Sequence, residues 1–337
     1  SDEVTDFLQA HKNHFLELEE AAERNRKDFQ LGRRVISDQL VRVLEDRFRF
    51  RVELREPEEG STVVRRIDRD QQVIQVSRSL PEHALKFQLA ATAGLLTLDE
   101  NKLHERLTQE AHPRHAETGR LIKIHLANYY AGALLLPYED YFREAQRTQY
   151  NVEQLASTFE MSYEACAHRL CNLSNQRRQG IPFHFLRVDV AGNISKKYSA
   201  SGLRFPYGTG SCPKWAVHVA FLTPSVVTRQ YSVMPDGHAF FCFAKVIAAP
   251  QQGSLVRGTT YSIGVGTTAD AAKHLVYAQD MPAPDLRRVA IPVGVTCRFC
   301  ERTDCNQRAA PSYKFAFAVD EYTKKDNFFS PLTGGER

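Results

Sequence analysis

Cys297, Cys300 and Cys305 share one short loop, Thr296-Cys297-Arg298-Phe299-Cys300-Glu301-Arg302-Thr303-Asp304-Cys305, at C-x2-C-x4-C spacing. Cys212 stands far upstream, in Ser211-Cys212-Pro213-Lys214-Trp215. Core packing does not explain the trio, because the segment around it is polar and charged. Arg298, Arg302 and Arg308 would offset the negative charge of several thiolates held together. The residues point to a metal or iron–sulfur site. Zinc ribbons usually bring two C-x2-C knuckles, and this chain has one. Three clustered cysteines plus a remote fourth suit a [4Fe–4S] cluster, with Cys212-Pro213 resembling the dipeptide that often accompanies a remote ligand. Zinc and redox-active thiols remain the alternatives.

A second constellation is basic and aromatic. The run Asp189-Val190-Ala191-Gly192-Asn193-Ile194-Ser195-Lys196-Lys197-Tyr198 places a turn ahead of two lysines, and Arg169, Arg177 and Arg178 approach the same stretch of chain. Such cations meet the phosphates of an adenine nucleotide or coenzyme A, while Phe183 and Tyr198 offer rings to stack on a base or line an acyl channel. The competing reading is a solvated strand edge. The pairs His11/His14 and His112/His115 read as solvated side chains. Cys166, Cys171 and Cys242 read as small core residues.

The surrounding elements follow from periodicity. Residues 2–27 read as one helix with a heptad seam of Val4, Leu8, His11, Phe15, Leu18 and Ala22, either packed on its own domain or serving as a linker or dimer contact. A helix at 33–48 leads into strands at 48–56, 62–67 and 72–76, with Gly60 and Asp68/Asp70 supplying turns. Helices follow at 81–97, 101–110, 116–135 and 138–148. Residues 151–174 read as two short helices around a tight turn, with the apolar spacing of a helix-turn-helix. The acidic Glu160 and Glu164 would oppose phosphates there, which favours a structural pair over a DNA reader. After Gly180 the texture becomes strand-like, at 183–190, 194–198, 226–233, 239–247 and 259–265, and residues 332–337 read as unstructured.

The fold class expected is therefore α+β, a mainly helical domain followed by a mixed β-sheet domain. The boundaries are 1–30 for a linker or dimerisation helix, 31–180 for the helical domain with its small sheet, and 181–331 for the sheet domain. The 337 residues carry a net charge of +4, which permits an anionic ligand without indicating nucleic acid. Seven cysteines without regular pairing argue against a disulfide framework and for a reducing cytoplasm. No apolar run approaches the roughly 20 residues of a membrane span, and no secretory signal is visible.

Two resemblances add to this reading. Phe87-Gln88-Leu89-Ala90-Ala91-Thr92-Ala93-Gly94-Leu95 and Leu126-Ala127-Asn128-Tyr129-Tyr130-Ala131 resemble the signature helices of the zinc-peptidase-like domain often fused to bacterial regulators. In that family H-E-x-x-H binds zinc; here Ala91, Thr92 and Leu95 stand at the matching positions. The resemblance, covering about residues 30–175, implies a degenerate scaffold and no enzyme. The second joins 192–200, Cys212-Pro213-Lys214-Trp215, Met234-Pro235-Asp236-Gly237 and the cysteine loop. Together these resemble the short-chain fatty acyl transcriptional regulator family over nearly the whole chain. That resemblance implies a sensor of short-chain acyl-CoA with a [4Fe–4S] cluster on Cys212, Cys297, Cys300 and Cys305. It also implies DNA binding through an upstream helix-turn-helix domain, which the missing initiator Met leads us to expect outside this sequence, and a homo-oligomer. For the coenzyme A contacts no family motif is available; the candidates on physical grounds are Arg169, Arg178, Lys196 and Lys197 for phosphates, with Tyr198 and Phe183 near the acyl or adenine part.

Overall fold

A computed structural model describes residues 2–57, 63–111, 113, 115–207, 210–248, 259–281 and 285–331. Gly60, His112 and residues 332–337 lie outside the described residues. The chain divides into two compact units, Glu3–Gly180 and Ile181–Arg337.

The first unit is mainly helical. Its helices are α1 (Asp2–Ala10), α2 (Leu16–Asp28), α3 (Ser37–Arg42), α4 (Glu82–Asn101), α5 (Leu103–Ala111), α6 (Ala116–Leu135), α7 (Tyr138–Arg147), α8 (Val152–Phe159) and α9 (Tyr163–Leu170). The single helix expected over 2–27 is in fact two. Lys12 and Asn13 take left-handed φ values of 52° and 48°, which breaks the hydrogen-bond ladder between α1 and α2. The seam residues Val4, Leu8, Phe15, Leu18 and Ala22 are nonetheless all buried within this unit. Periodicity reports which side is apolar and is blind to a break that preserves the apolar side. Likewise the helix expected over 33–48 is α3 followed by a π turn, Val43–Arg47.

Strands β1 (Arg51–Arg55), β2 (Arg65–Asp68) and β3 (Val73–Ser77) form a small sheet in the order β1-β3-β2, with β1 parallel and β2 antiparallel to β3. Helices α4 and α6 cross closely because Gly94 has no side chain: a Cβ there would stand 2.8 Å from the Ala127 carbonyl oxygen. Near this crossing, Thr92 donates to the Gln88 carbonyl at 2.8 Å and meets the Arg65 guanidinium at 3.1 Å. The position of the peptidase glutamate thus belongs to a hydroxyl engaged with an arginine.

The α8/α9 pair is capped by side chains, Asn151 accepting from the Gln154 N–H and Ser162 from the Ala165 N–H. Glu160 turns the chain between them at φ 53°. The inner face of α9 is committed to the core, where Cys166, Ala167, Arg169 and Leu170 are buried.

The second unit is built on strands β4 (His184–Asp189), β5 (Ile194–Ser199), β6 (Thr228–Val233), β7 (Ala239–Ala248), β8 (Thr260–Thr268) and β9 (Ile291–Pro292). Their order is β5-β4-β8-β7-β6-β9, antiparallel except for the parallel β6–β9 pair. Helices α10 (Ala216–Val219) and α11 (Leu286–Val289) are short. Residues opposite one another on neighbouring strands share a face, so each strand deals its side chains alternately to two sides. One face carries Leu186, Val188, Phe240 and Ala244, which pack with Trp215, Ala216 and Val217 around α10. The other carries Phe185, Tyr198, Phe241 and Phe243, with Phe243 stacked 4.1 Å from Tyr277. The fold class is α+β, as the sequence led us to expect.

Candidate functional site: a cysteine pocket and an apolar pocket joined by one segment

Cys212, Cys297, Cys300 and Cys305 line one pocket in the second unit. The chain reaches it from two directions. Cys212 enters just ahead of α10, its N–H donating to the Val295 carbonyl at 3.0 Å. The other three follow β9 in a loop that opens with a 3-10 turn, Cys297–Phe299. Burial raises the Cys212 thiol above its ordinary range; nearby backbone N–H groups oppose this, while Cys297 and Cys300 add to it. Gly294 is needed for this approach, since a Cβ there would stand 2.7 Å from Cys300 Sγ.

The loop is held by its arginines. Arg302 donates to the Val293 carbonyl at 2.9 Å and to that of Val233 at 2.7 Å. Arg308 donates to the Cys297 carbonyl at 3.0 Å and to that of Arg302. Both line the pocket. Arg308 is 3% exposed, and its buried Nε–H meets no acceptor among the described residues. A buried cationic donor without an acceptor is costly, and it is relieved by a group that brings negative charge and acceptor atoms. The donor set therefore fits an anionic thiolate-bound cluster. Among the described residues, no three Cys, His, Asp or Glu side chains converge closely enough to hold a metal ion.

The second pocket, a cavity of about 30 Å³, opens on the α10 face of the sheet. Leu203, Phe205, Trp215, Ala216, Met234 and Phe240 give it an apolar lining. Two glycines of β8 let neighbouring side chains lie directly on the sheet here. Gly264 faces Val217, which a Cβ would strike, and Gly266 faces His184, whose Cε1 would be 2.6 Å from a Cβ. A few polar groups line it: His184 Nδ1 is 2.7 Å from Ser201 Oγ, its Nε2 is 3.3 Å from Cys242 Sγ, and Ser232 donates to Gln230 at 2.9 Å. Burial pushes His184 down to about 3 and Cys242 up to about 12, so both are neutral near pH 7.

The two pockets share a wall. Val293 lines the apolar pocket and its neighbours Pro292 and Gly294 line the cysteine pocket. Trp215, on the apolar side, donates its indole N–H to the Gly294 carbonyl at 2.9 Å.

The physically chosen coenzyme A contacts fare differently. Arg169 is fully buried in the first unit, donating to both Glu19 carboxylate oxygens at 2.7 and 2.9 Å and to the Leu136 carbonyl at 3.0 Å. It is a core ion pair where a surface cation was expected: its charge pattern in the sequence is the same, and only tertiary burial separates the two. Arg178 is exposed and paired with Glu139. Phe183 and Tyr198 are buried, and Tyr198, opposite Phe185, lies on the sheet face away from the apolar pocket. Neither ring lines that pocket. Lys197, opposite Leu186, shares the pocket's face and donates to the Pro206 carbonyl at 2.9 Å, beside pocket residue Phe205. Lys196 is exposed. The sequence reading missed His184, Gln230 and Ser232, and took Cys242 for packing. The signal was Gly264-Val265-Gly266 inside a strand, a mark of close approach.

Comparison with known proteins is consistent with this division. Residues 172–329 match the family model described as "Short-chain fatty acyl coenzyme A regulator, C-terminal", and residues 45–171 match the "IrrE N-terminal-like domain". The HTH-type transcriptional regulator PrpR of Mycobacterium tuberculosis is 35% identical over 320 residues, covering 95% of this chain and 65% of that protein. RamB, another HTH-type transcriptional regulator of Mycobacterium tuberculosis, is 33% identical over 326 residues, covering 95% of this chain and 67% of its own length. The propionyl-CoA carboxylase regulator of Cereibacter sphaeroides is 39% identical over 235 residues, covering 70% of this chain and 50% of that protein. A solved structure, a Mycobacterium tuberculosis transcriptional regulator, superposes with a TM-score of 0.89 at 35% identity, over 97% of this chain and 99% of that one. The chain thus spans half to about two thirds of the length of these curated relatives, all named as regulators and none as an enzyme. None of the described helices is long and apolar enough to cross a membrane. On these matches, the chain belongs to the family of short-chain fatty acyl coenzyme A regulators.

Proposed function

We propose that this chain is the sensing part of a cytoplasmic transcriptional regulator that answers to short-chain acyl-CoA and controls propionate or short-chain fatty acid use. DNA would be bound through a helix-turn-helix domain outside this sequence, by a homo-oligomer. The observation that carries the ligand half is the apolar pocket. Its mostly apolar lining and its few polar groups are those of a small-ligand site, and they suit the end of a short acyl chain. Lys197, on the same sheet face, is the candidate for a coenzyme A phosphate, and exposed Lys196 remains a candidate on charge.

A [4Fe–4S] cluster would be held by Cys212, Cys297, Cys300 and Cys305. Bound there, it would supply a redox-sensitive, negatively charged cross-link between the segment ahead of α10 and the loop after β9. Two observations support an anionic thiolate-bound group here. The four thiols line a common pocket, and Arg308, in the same lining, keeps a buried Nε–H without an acceptor among the described residues. The chain's own part is to neutralise and to tie. Arg302 and Arg308 offset thiolate charge, and the backbone from Val293 to Val295 transmits movement of the loop to the Trp215 wall. Ligand that prefers one arrangement of that wall would then shift the population of the other.

Calorimetry with propionyl-CoA on anaerobically purified protein tests the ligand half. Saturable binding that Ala216→Phe abolishes is expected, since Phe would fill the pocket. Absence of binding to wild-type protein with its full metal content sinks it. Iron and sulfide analysis decides between cluster and zinc: a brown protein with both elements is expected, a colourless one with zinc overturns the cluster.

A further inference from the structure

His184 and Cys242 are not sequence neighbours, nor are their strands adjacent. Both stand opposite Gly266, His184 from β4 and Cys242 from β7, with β8 running between them. Strand spacing alone puts next-but-one strands roughly 9–10 Å apart. The imidazole nevertheless reaches to 3.3 Å from the thiol, across the place where β8 has no side chain. The far ring nitrogen, Nδ1, is fixed 2.7 Å from Ser201 Oγ. A thiol, an imidazole within hydrogen-bond reach and a third group orienting the ring form the arrangement by which a nucleophile is activated. Cys242 is only partly enclosed, and both it and His184 line the apolar pocket.

We propose that this pocket acylates itself: Cys242 takes the acyl group from a bound acyl thioester, with His184 as the base. The inference rests on the acyl-CoA reading above. With the Nδ1 proton donated to Ser201, Nε2 accepts the Cys242 proton as Sγ attacks the thioester carbonyl carbon. The tetrahedral intermediate collapses by breaking the bond to the coenzyme A sulfur, and the departing thiolate takes the proton back from Nε2. One carbon–sulfur bond forms and one breaks, with no oxidant or reductant. The product is again a thioester, so the exchange is close to balanced and runs in both directions. Occupancy of Cys242 would then follow the ratio of acyl-CoA to free coenzyme A, a different quantity from acyl-CoA concentration alone. Burial holds the imidazole down at about 3 and the thiol up at about 12, so both rest neutral and no thiolate stands ready beforehand; the proton passes from Sγ to Nε2 only as the new carbon–sulfur bond forms.

The experiment uses the full 337-residue chain, purified anaerobically, with two probes. The first is propionyl-CoA, followed by intact mass measurement and peptide mapping. The second is the thioether analogue of propionyl-CoA, which cannot transfer its acyl group, followed by calorimetry. Expected are analogue binding, one propionyl group on Cys242 that is released by neutral hydroxylamine, and its removal by excess coenzyme A. Cys242→Ala should lose the adduct, and His184→Asn should slow acylation roughly a hundredfold. Analogue binding with no acyl group on Cys242, or with the adduct only on another cysteine or on lysines, overturns self-acylation and leaves the acyl-CoA reading standing. Absence of analogue binding overturns both. If His184→Asn fails to fold, the site mapped on wild-type protein decides.

Discussion

Trp215 donates its indole N–H to the carbonyl oxygen of Gly294, and this bond joins the wall of the apolar pocket to the rim of the cysteine pocket. Trp215→Phe keeps most of the apolar wall and deletes the donor. The buried carbonyl left behind should cost about 1–3 kcal/mol, read as a lower denaturation midpoint. In wild-type protein, propionyl-CoA should also change the visible spectrum of the cysteine site, and the variant should lose most of that response. An undiminished response would mean that the two pockets communicate by another route.

Changing Cys212, Cys297, Cys300 or Cys305 singly to Ser should each remove most bound iron and sulfide, while Cys166→Ser and Cys171→Ser should leave it. The latter two are buried in the first unit, and burial raises their thiols far above the ordinary range, so they are poor thiolate ligands. Elemental analysis with visible absorption checks this. Full iron in Cys212→Ser would remove the remote ligand from the set.

Arg169→Met should destabilise the first unit by about 3–5 kcal/mol, because Glu19 is left charged in a largely buried place. The double change Glu19→Gln with Arg169→Met should recover a large part of that loss. Urea denaturation of all four proteins gives the cycle. Equal losses in the single and double variants would show that packing, and not the ion pair, is what Arg169 supplies.

His184 gives the second unit a definite pH dependence. Its folded value is about 3, against an ordinary 6.5, because burial disfavours the charged ring. As pH falls through 6.5 the unfolded chain gains a proton that the folded chain refuses, so stability declines until about pH 3, where the folded ring protonates too. His184→Asn should flatten the stability profile across this window, measured by denaturation between pH 4 and pH 8. An unchanged slope would assign the acid sensitivity to other groups.

Gly264→Ala should cost about 1–3 kcal/mol by overpacking against Val217 and should also reduce acyl-CoA affinity. Adding Val217→Ala should restore stability, since the methyl group then has room. Thermal melts and calorimetry check both, and a neutral single variant would show that α10 moves freely.

Much of the architecture was legible along the chain. The long helices α4, α6 and α7 and nearly every strand fall where local periodicity places them, because an apolar face repeats whether or not its partner is known. Lys12 and Asn13 were not legible, since a turn that preserves the seam leaves the pattern intact. Arg169 and Lys197 are both cations near the middle of the sequence. One is enclosed by Glu19 and Leu136, and the other remains on the pocket's face of the sheet.

By itself the sequence determined that Cys297, Cys300 and Cys305 lie near one another, because a loop of nine residues cannot carry them far apart. It also determined that Ala91, Thr92 and Leu95 supply no zinc ligands, because ligation depends on side-chain chemistry. Only the tertiary structure decided that Cys212 lines the same pocket, and that His184 meets Cys242 over Gly266. Those encounters depend on strand order and register, which local pattern does not encode: β8 lies between β4 and β7 although it follows both in the chain.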